Sequence, residues 1–133
     1  LSTSPTNGTV VAFASTGRGS VYPSDNWGTV YVVSLNFANI NAPTASIRIL
    51  FDCDDVGGGQ LGALAVPTQG LRCPDNLDWA DDGFIYVQED QANQVDFFGA
   101  DGFETSIWRL DPAGGAVRIM TGAAVPPGTD VVV

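Results

Sequence analysis

Apolar and polar residues fall along this chain in short runs, with almost no helical spacing. Runs rich in β-branched and aromatic residues recur between clusters of Gly, Pro, Asn and Asp, which is the pattern of antiparallel strands joined by turns. The expected strands are residues 9–15, 29–35, 46–51, 77–80, 84–89, 105–110 and 116–121. Asn7-Gly8, Asp82-Gly83 and Asp101-Gly102 are dipeptides that tolerate the positive φ of tight turns, and the Asp-Pro-Ala-Gly-Gly segment at 111–115 reads as a further hairpin loop. Longer loops are expected at 17–28, 37–45, 56–70 and 91–103, with a weak helical signal in the third.

A repeat orders these strands. Asn7-Gly8 followed by TVVAFAS, a loop, WGTVYVVSL and SIRILFD parallels Asp82-Gly83 followed by FIYVQED, a loop, TSIWRLD and AVRIM. Units of about 40 to 50 residues built from short antiparallel strands predict an all-β fold of antiparallel sheets forming part of a β-propeller, two or so blades of it; the alternative is a plain β-sandwich. Two blades close no ring. Residues 1–133 are therefore read as one propeller portion, a fragment of a longer chain, whose remaining blades lie outside it or come from other copies.

Charge narrows the chemistry. Thirteen Asp and two Glu stand against five Arg, with no Lys and no His, for a net charge of −10 and a pI near 4.1. Such a surface repels phosphate backbones, so nucleic acid is excluded as a partner. No run approaches the roughly 20 apolar residues of a membrane helix, so no membrane insertion is expected. Without His, Ser-His-Asp and Cys-His catalysis cannot occur within this segment. What remains is carboxylate, hydroxyl, Arg or hard-metal chemistry. The acids concentrate in residues 51–133, which hold 14 of them against Arg72, Arg109 and Arg118. Cys53 and Cys73 enclose a short loop; in an exported protein that spacing suits a disulfide, stabilising by about 3 kcal/mol on the loop-entropy model, and the other reading is two free thiols at strand ends.

The stretch LRCPDNLDWADDGFIYVQED at 71–90 resembles the Pro-Asp-Asn-Leu, turn, Gly, apolar strand, Glu-Asp segment of the PhoX-type alkaline phosphatase family, secreted or periplasmic β-propeller metallophosphatases. The strand-loop-strand pattern of 11–35 and the TSIWRLD segment are similar to blades of that family too, and the likeness covers most of residues 8–120. What the resemblance implies is hydrolysis of phosphate-ester small molecules by calcium and iron ions held by carboxylates on inner strands, in a periplasmic or secreted protein. The family's upstream cysteine and acidic iron ligands have no counterpart here, so the isolated chain is expected to be inactive.

Glu89 and Asp90 are the candidate metal ligands. Glu89 shares a strand face with Ile85 and Val87 and is expected to project from the strand end, whereas Asp90 points to the other face and serves a nearby hydrogen bond. Glu89→Gln is expected to abolish metal binding with little change in folding. Asp75 and Asn76, following a proline, are expected to hold the incoming turn by bonding backbone N–H groups, and Asp82 to be a turn residue. Arg18, in a Gly-Arg-Gly loop, is the candidate phosphate-binding fork. Arg48, Arg109 and Arg118 are expected to pair with acids, Asp52, Asp54 and Asp55 to form a solvated loop, and Trp27, Trp79 and Trp108 to pack between blades. The alternative function is a non-enzymatic secreted acidic β-domain that binds calcium or a protein partner.

Overall fold

The computed structural model describes residues 1–17, 25, 27–56, 59–60, 71–89 and 103–123. Its strands are β1 (Ser2–Ser4), β2 (Asn7–Ser15), β3 (Thr29–Asn36), β4 (Thr44–Asp52), β5 (Asp55–Val56), β6 (Gly59–Gln60), β7 (Pro74–Trp79), β8 (Ile85–Glu89), β9 (Phe103–Leu110) and β10 (Ala116–Ala123). β1 to β4 form one antiparallel meander and β7 to β10 another; β5 and β6 make a two-residue ladder apart from both. Among the described residues there is no helix, and hence none long and apolar enough to cross a membrane. The fold is all-β, and the sheets do not close on themselves.

Every expected strand is present. β1 escapes the pattern because its sequence is Ser-Thr-Ser, with no apolar residue to mark a face. The weak helical signal also needs correcting where it is described, because 59–60 is strand. Asn7-Gly8 is not a hairpin turn either: the chain reverses at Pro5-Thr6, and Asn7 uses its Oδ1 to accept from the Thr9 N–H at 3.0 Å inside β2. Asp82-Gly83 does turn, with the Gly83 N–H donating to the Ala80 carbonyl at 2.9 Å.

The sheets stack face to face. Ala12, Val30 and Val32 of the first pack against Ile85, Val87, Trp108 and Leu110 of the second, all buried, and Trp27, Leu71, Cys53 and Cys73 complete the core. Burial of this much aliphatic and aromatic surface, at about 25 cal/mol per Å², is the main term favouring the fold. β1 and β2 lie beside β7. At the far side of the stack Arg48 donates from Nη2 to the Pro112 carbonyl at 2.9 Å, and Arg109 lies 4.5 Å from the centre of the Phe84 ring. Arg48 thus serves a carbonyl where an acid partner was expected, whereas Arg109 lies over a ring and its charge also acts on Asp82, an acid partner as expected. Trp27 and Trp108 are core residues, as expected, while Trp79 is half-buried and donates its Nε1–H to the Gly83 carbonyl at 3.2 Å.

The tightest backbone approach is at Gly28, just before β3. Its φ is +88°, and a Cβ there would lie 2.1 Å from the Ser15 carbonyl oxygen and 2.8 Å from Pro74 Cδ. Neither neighbour is the free end of a flexible side chain, so nothing can move away cheaply. Gly83 has the same φ of +88° but open space around the missing Cβ. Gly28→Ala is expected to cost about 3 kcal/mol or more, and Gly83→Ala only about 1 kcal/mol, by urea unfolding. Equal costs would mean that φ, not the close approach, sets the requirement at Gly28.

Candidate functional site

The chemistry-bearing residues gather at the end of the sheets where β2 and β8 finish. Trp27 and Gly28 cross this end, and two segments make three bonds to their backbone. The Cys73 N–H donates to the Trp27 carbonyl at 2.7 Å and the Cys53 N–H to the Gly28 carbonyl at 3.0 Å. The Trp27 N–H in turn donates to Asp54 Oδ2 at 3.1 Å. Asp54 is 4% exposed, and its own N–H is held by Asp52 Oδ1 at 3.0 Å. The expected solvated acidic loop thus contains a buried carboxylate, because the Trp27 backbone needs an acceptor there.

Glu89, the last residue of β8, is 3% exposed. Its Oε1 accepts from the Arg72 N–H at 3.0 Å and from the Trp108 indole Nε1–H at 2.8 Å, and its Oε2 accepts from the Ser106 N–H at 3.0 Å. Alternation in β8 puts it on the buried face with Ile85 and Val87, as the strand pattern predicts. Three N–H donors converge on one carboxylate and tie the segment before β7, the interior of β9 and a core tryptophan to one point. A carboxylate has about four acceptor directions; these bonds use two on Oε1 and one on Oε2. Among the described residues no group of three or more Cys, Asp or Glu side chains is arranged to hold a metal ion. By itself the described set is therefore a brace and not a calcium or iron shell.

Asp90 and Arg18 lie outside the described residues. Asp75 and Asn76 are exposed on β7, within the interval where its register against β8 shifts, and Asn76 Nδ2–H donates to Asp75 Oδ2 at 3.1 Å. They mark a bulge in a strand rather than a turn before it. Arg72 is 5% exposed, buried beside the Glu89 carboxylate that receives its N–H. Ser15, the β2 residue corresponding to Glu89, donates its hydroxyl to Asp25 Oδ2 at 3.0 Å.

Cys53 and Cys73 are both buried, and the disulfide that their spacing suits is not formed between them in this structure. Burial, followed by the fields of Cys73, Asp52, Asp54 and Glu89, pushes the Cys53 thiol well above its usual 9.0. It is accordingly neutral at physiological pH and unreactive as a nucleophile. The same neighbours show that two thiols and three carboxylates share this end of the molecule. Sequence reading missed Asp54 and the Trp27-Gly28 crossing, and the only available signal was the Trp-Gly dipeptide before a strand.

Asp82 is a turn residue, as expected. It accepts from the Phe84 N–H at 2.9 Å and from the Tyr86 hydroxyl at 2.7 Å, and these bonds, the backbone one foremost, lower its pKa from 3.8. Comparison of the chain with family models, with curated proteins and with solved structures finds no match.

Two outcomes follow for these carboxylates. Glu89→Gln leaves one of the three N–H donors facing an amide NH₂, so it is expected to destabilise the chain by about 1–3 kcal/mol in urea, in place of the small effect the sequence implied. An unchanged midpoint would show that the brace carries no load. For Asp82 the folded carboxyl titrates below 3.8, so its contribution is complete above that value and is lost as pH falls through the folded pKa. The gap in urea midpoint between wild type and Asp82→Asn should therefore narrow below pH 3.8 and stay constant above pH 6; a constant gap throughout would assign the effect to shape alone.

Proposed function

We propose that the chain is a pair of consecutive β-propeller blades from a metal-dependent phosphatase resembling the PhoX type, acting on phosphate-ester small molecules outside the cytoplasm. The observation that carries the propeller half is the way the two sheets correspond. β2 and β8 end at Ser15 and Glu89, and the pairs Ala14↔Val30 and Gln88↔Ile107 occupy the same place beside those ends. In this correspondence Phe13 matches Val87, Tyr31 matches Trp108 and Val33 matches Leu110. The buried face of the second sheet thus matches the outer face of the first, so the sheets stack front to back. Two sheets of a sandwich related by a twofold axis would bury matching faces instead; successive blades of a ring stack in the order seen here.

The phosphatase half is supported by the resemblance at 74–90, whose Pro-Asp-Asn-Leu segment is β7 and whose Glu ends β8 in the buried acidic end of the stack. Ligation of calcium or iron by Glu89 would be through Oε2, with Asp90 and groups beyond the described residues as the other ligands. The non-enzymatic reading is favoured by one observation, the three N–H donors already bound to Glu89.

The parent protein that carries this segment in a complete ring is expected to contain calcium and iron by elemental analysis and to hydrolyse p-nitrophenyl phosphate, with both lost in Glu89→Gln after correction for the folded fraction. A well-folded parent protein holding neither metal and inert toward phosphomonoesters would leave the non-enzymatic acidic module in its place.

A further inference from the structure

The face of the first sheet turned away from the second is apolar. It carries two cross-strand rows, Val11–Val33–Ile47 and Phe13–Tyr31–Ile49, without a charged side chain in either. Phe13 and Tyr31 stack with centroids 4.9 Å apart, while Ile47 and Ile49 are 65% and 55% exposed. Contiguous patches of this kind are uncommon on free surfaces of soluble chains. By the correspondence of strands, this face matches the one that the second sheet buries completely.

The opposite pole of the stack is the outer face of the second sheet. It holds an open depression of ≈ 250 Å³ whose outer-face residues are Asn76, Asp78, Tyr86, Gln88 and Ile107, while Leu77 at its edge packs against the core. Next to it on β10, Met120 pairs with Ile107 and is 59% exposed. Within the chain, β1 and β2 lie beside β7, and β4 reaches the β9–β10 turn through Arg48. Repeating that same step places β10 of one copy over β4 of another, with Met120 against Ile47 and Ile49.

We propose that the chain binds a second copy of itself head to tail, the outer face of the first sheet of one copy seating on the outer face of the second sheet of the next. The inference rests on the front-to-back stacking in the reading above and is independent of its metal chemistry. Because the two surfaces differ, the contact is heterologous and each copy keeps one free face of each kind.

Sedimentation velocity of the metal-free chain at rising concentration should show assemblies growing past the dimer. Ile47→Asp and Met120→Asp, both at exposed positions, should each weaken self-association about tenfold or more while leaving the thermal melt of the monomer in place. Mixed together, the two variants should form a heterodimer and stop there, since Met120→Asp keeps the first-sheet face and Ile47→Asp keeps the second-sheet face. Wild type that stays monomeric throughout would overturn the proposal, as would Met120→Asp that still dimerises alone, which would indicate a symmetric contact between two first-sheet faces. An inert, metal-free parent protein would leave this result standing, and failed association would leave the phosphatase assay untouched.

Discussion

The crossing of Trp27 and Gly28 over the end of the stack is the constraint on which the rest depends. A backbone segment cannot be buried unless its N–H and C=O groups find partners, and here the partners come from two places far from Trp27 and from each other in sequence: the adjacent Cys53 and Asp54 after β4, and Cys73 before β7. The first two belong to the end of the first sheet and the third to the entry of the second. Gly28 makes this geometry available because a side chain would meet both the Ser15 carbonyl and the Pro74 ring. The positions of the two sheets relative to each other are thus set by main-chain bonds at one end, with the aliphatic core filling the space between them.

Two buried carboxylates follow from that arrangement. Burying an acid is costly unless its oxygens are bonded, and both Asp54 and Glu89 accept from N–H groups that would otherwise be buried without an acceptor. They belong to the fold's accounting of backbone donors as much as to any chemistry. The acidic character of residues 51–133 is thus in part a matter of the fold. Part of that charge is turned inward and spent on peptide groups, and another part, at Asp82 and Asp111, caps turns by accepting from N–H groups two residues on.

Strand positions were legible in the sequence because alternation is a local property, visible wherever one face is buried. The face assignment of Glu89 was legible for the same reason. Its partners were not, since the Arg72 and Ser106 N–H groups lie 17 residues away on either side and only the pairing of β8 with β9 and the path into β7 bring them near. Asp54 was misread because an Asp-rich run beside a cysteine looks like solvated loop until the Trp27 N–H is seen to need it. Asn7-Gly8 was misread because a turn dipeptide can equally sit in a strand when Asn bonds its own backbone two residues on.

The correspondence between the sheets was half legible. Matching the turn dipeptides Asn7-Gly8 and Asp82-Gly83 pairs Ala12 with Val87, which would make the two buried faces equivalent and the architecture a symmetric sandwich. Matching the strand ends Ser15 and Glu89 moves the alignment by one residue, and in a strand one residue exchanges the faces. The pairing must decide, because the two hairpins differ: β1 and β2 turn at Pro5-Thr6, with a register shift between Thr3 and Ser4, while β7 and β8 turn through Asp81-Asp82-Gly83. On the propeller reading, the different register shifts of the two hairpins separate a symmetric pair of sheets from one that leaves a face of the same kind at each step. On the propeller proposal, the apolar outer face of β2, β3 and β4 follows from how the repeat would stack.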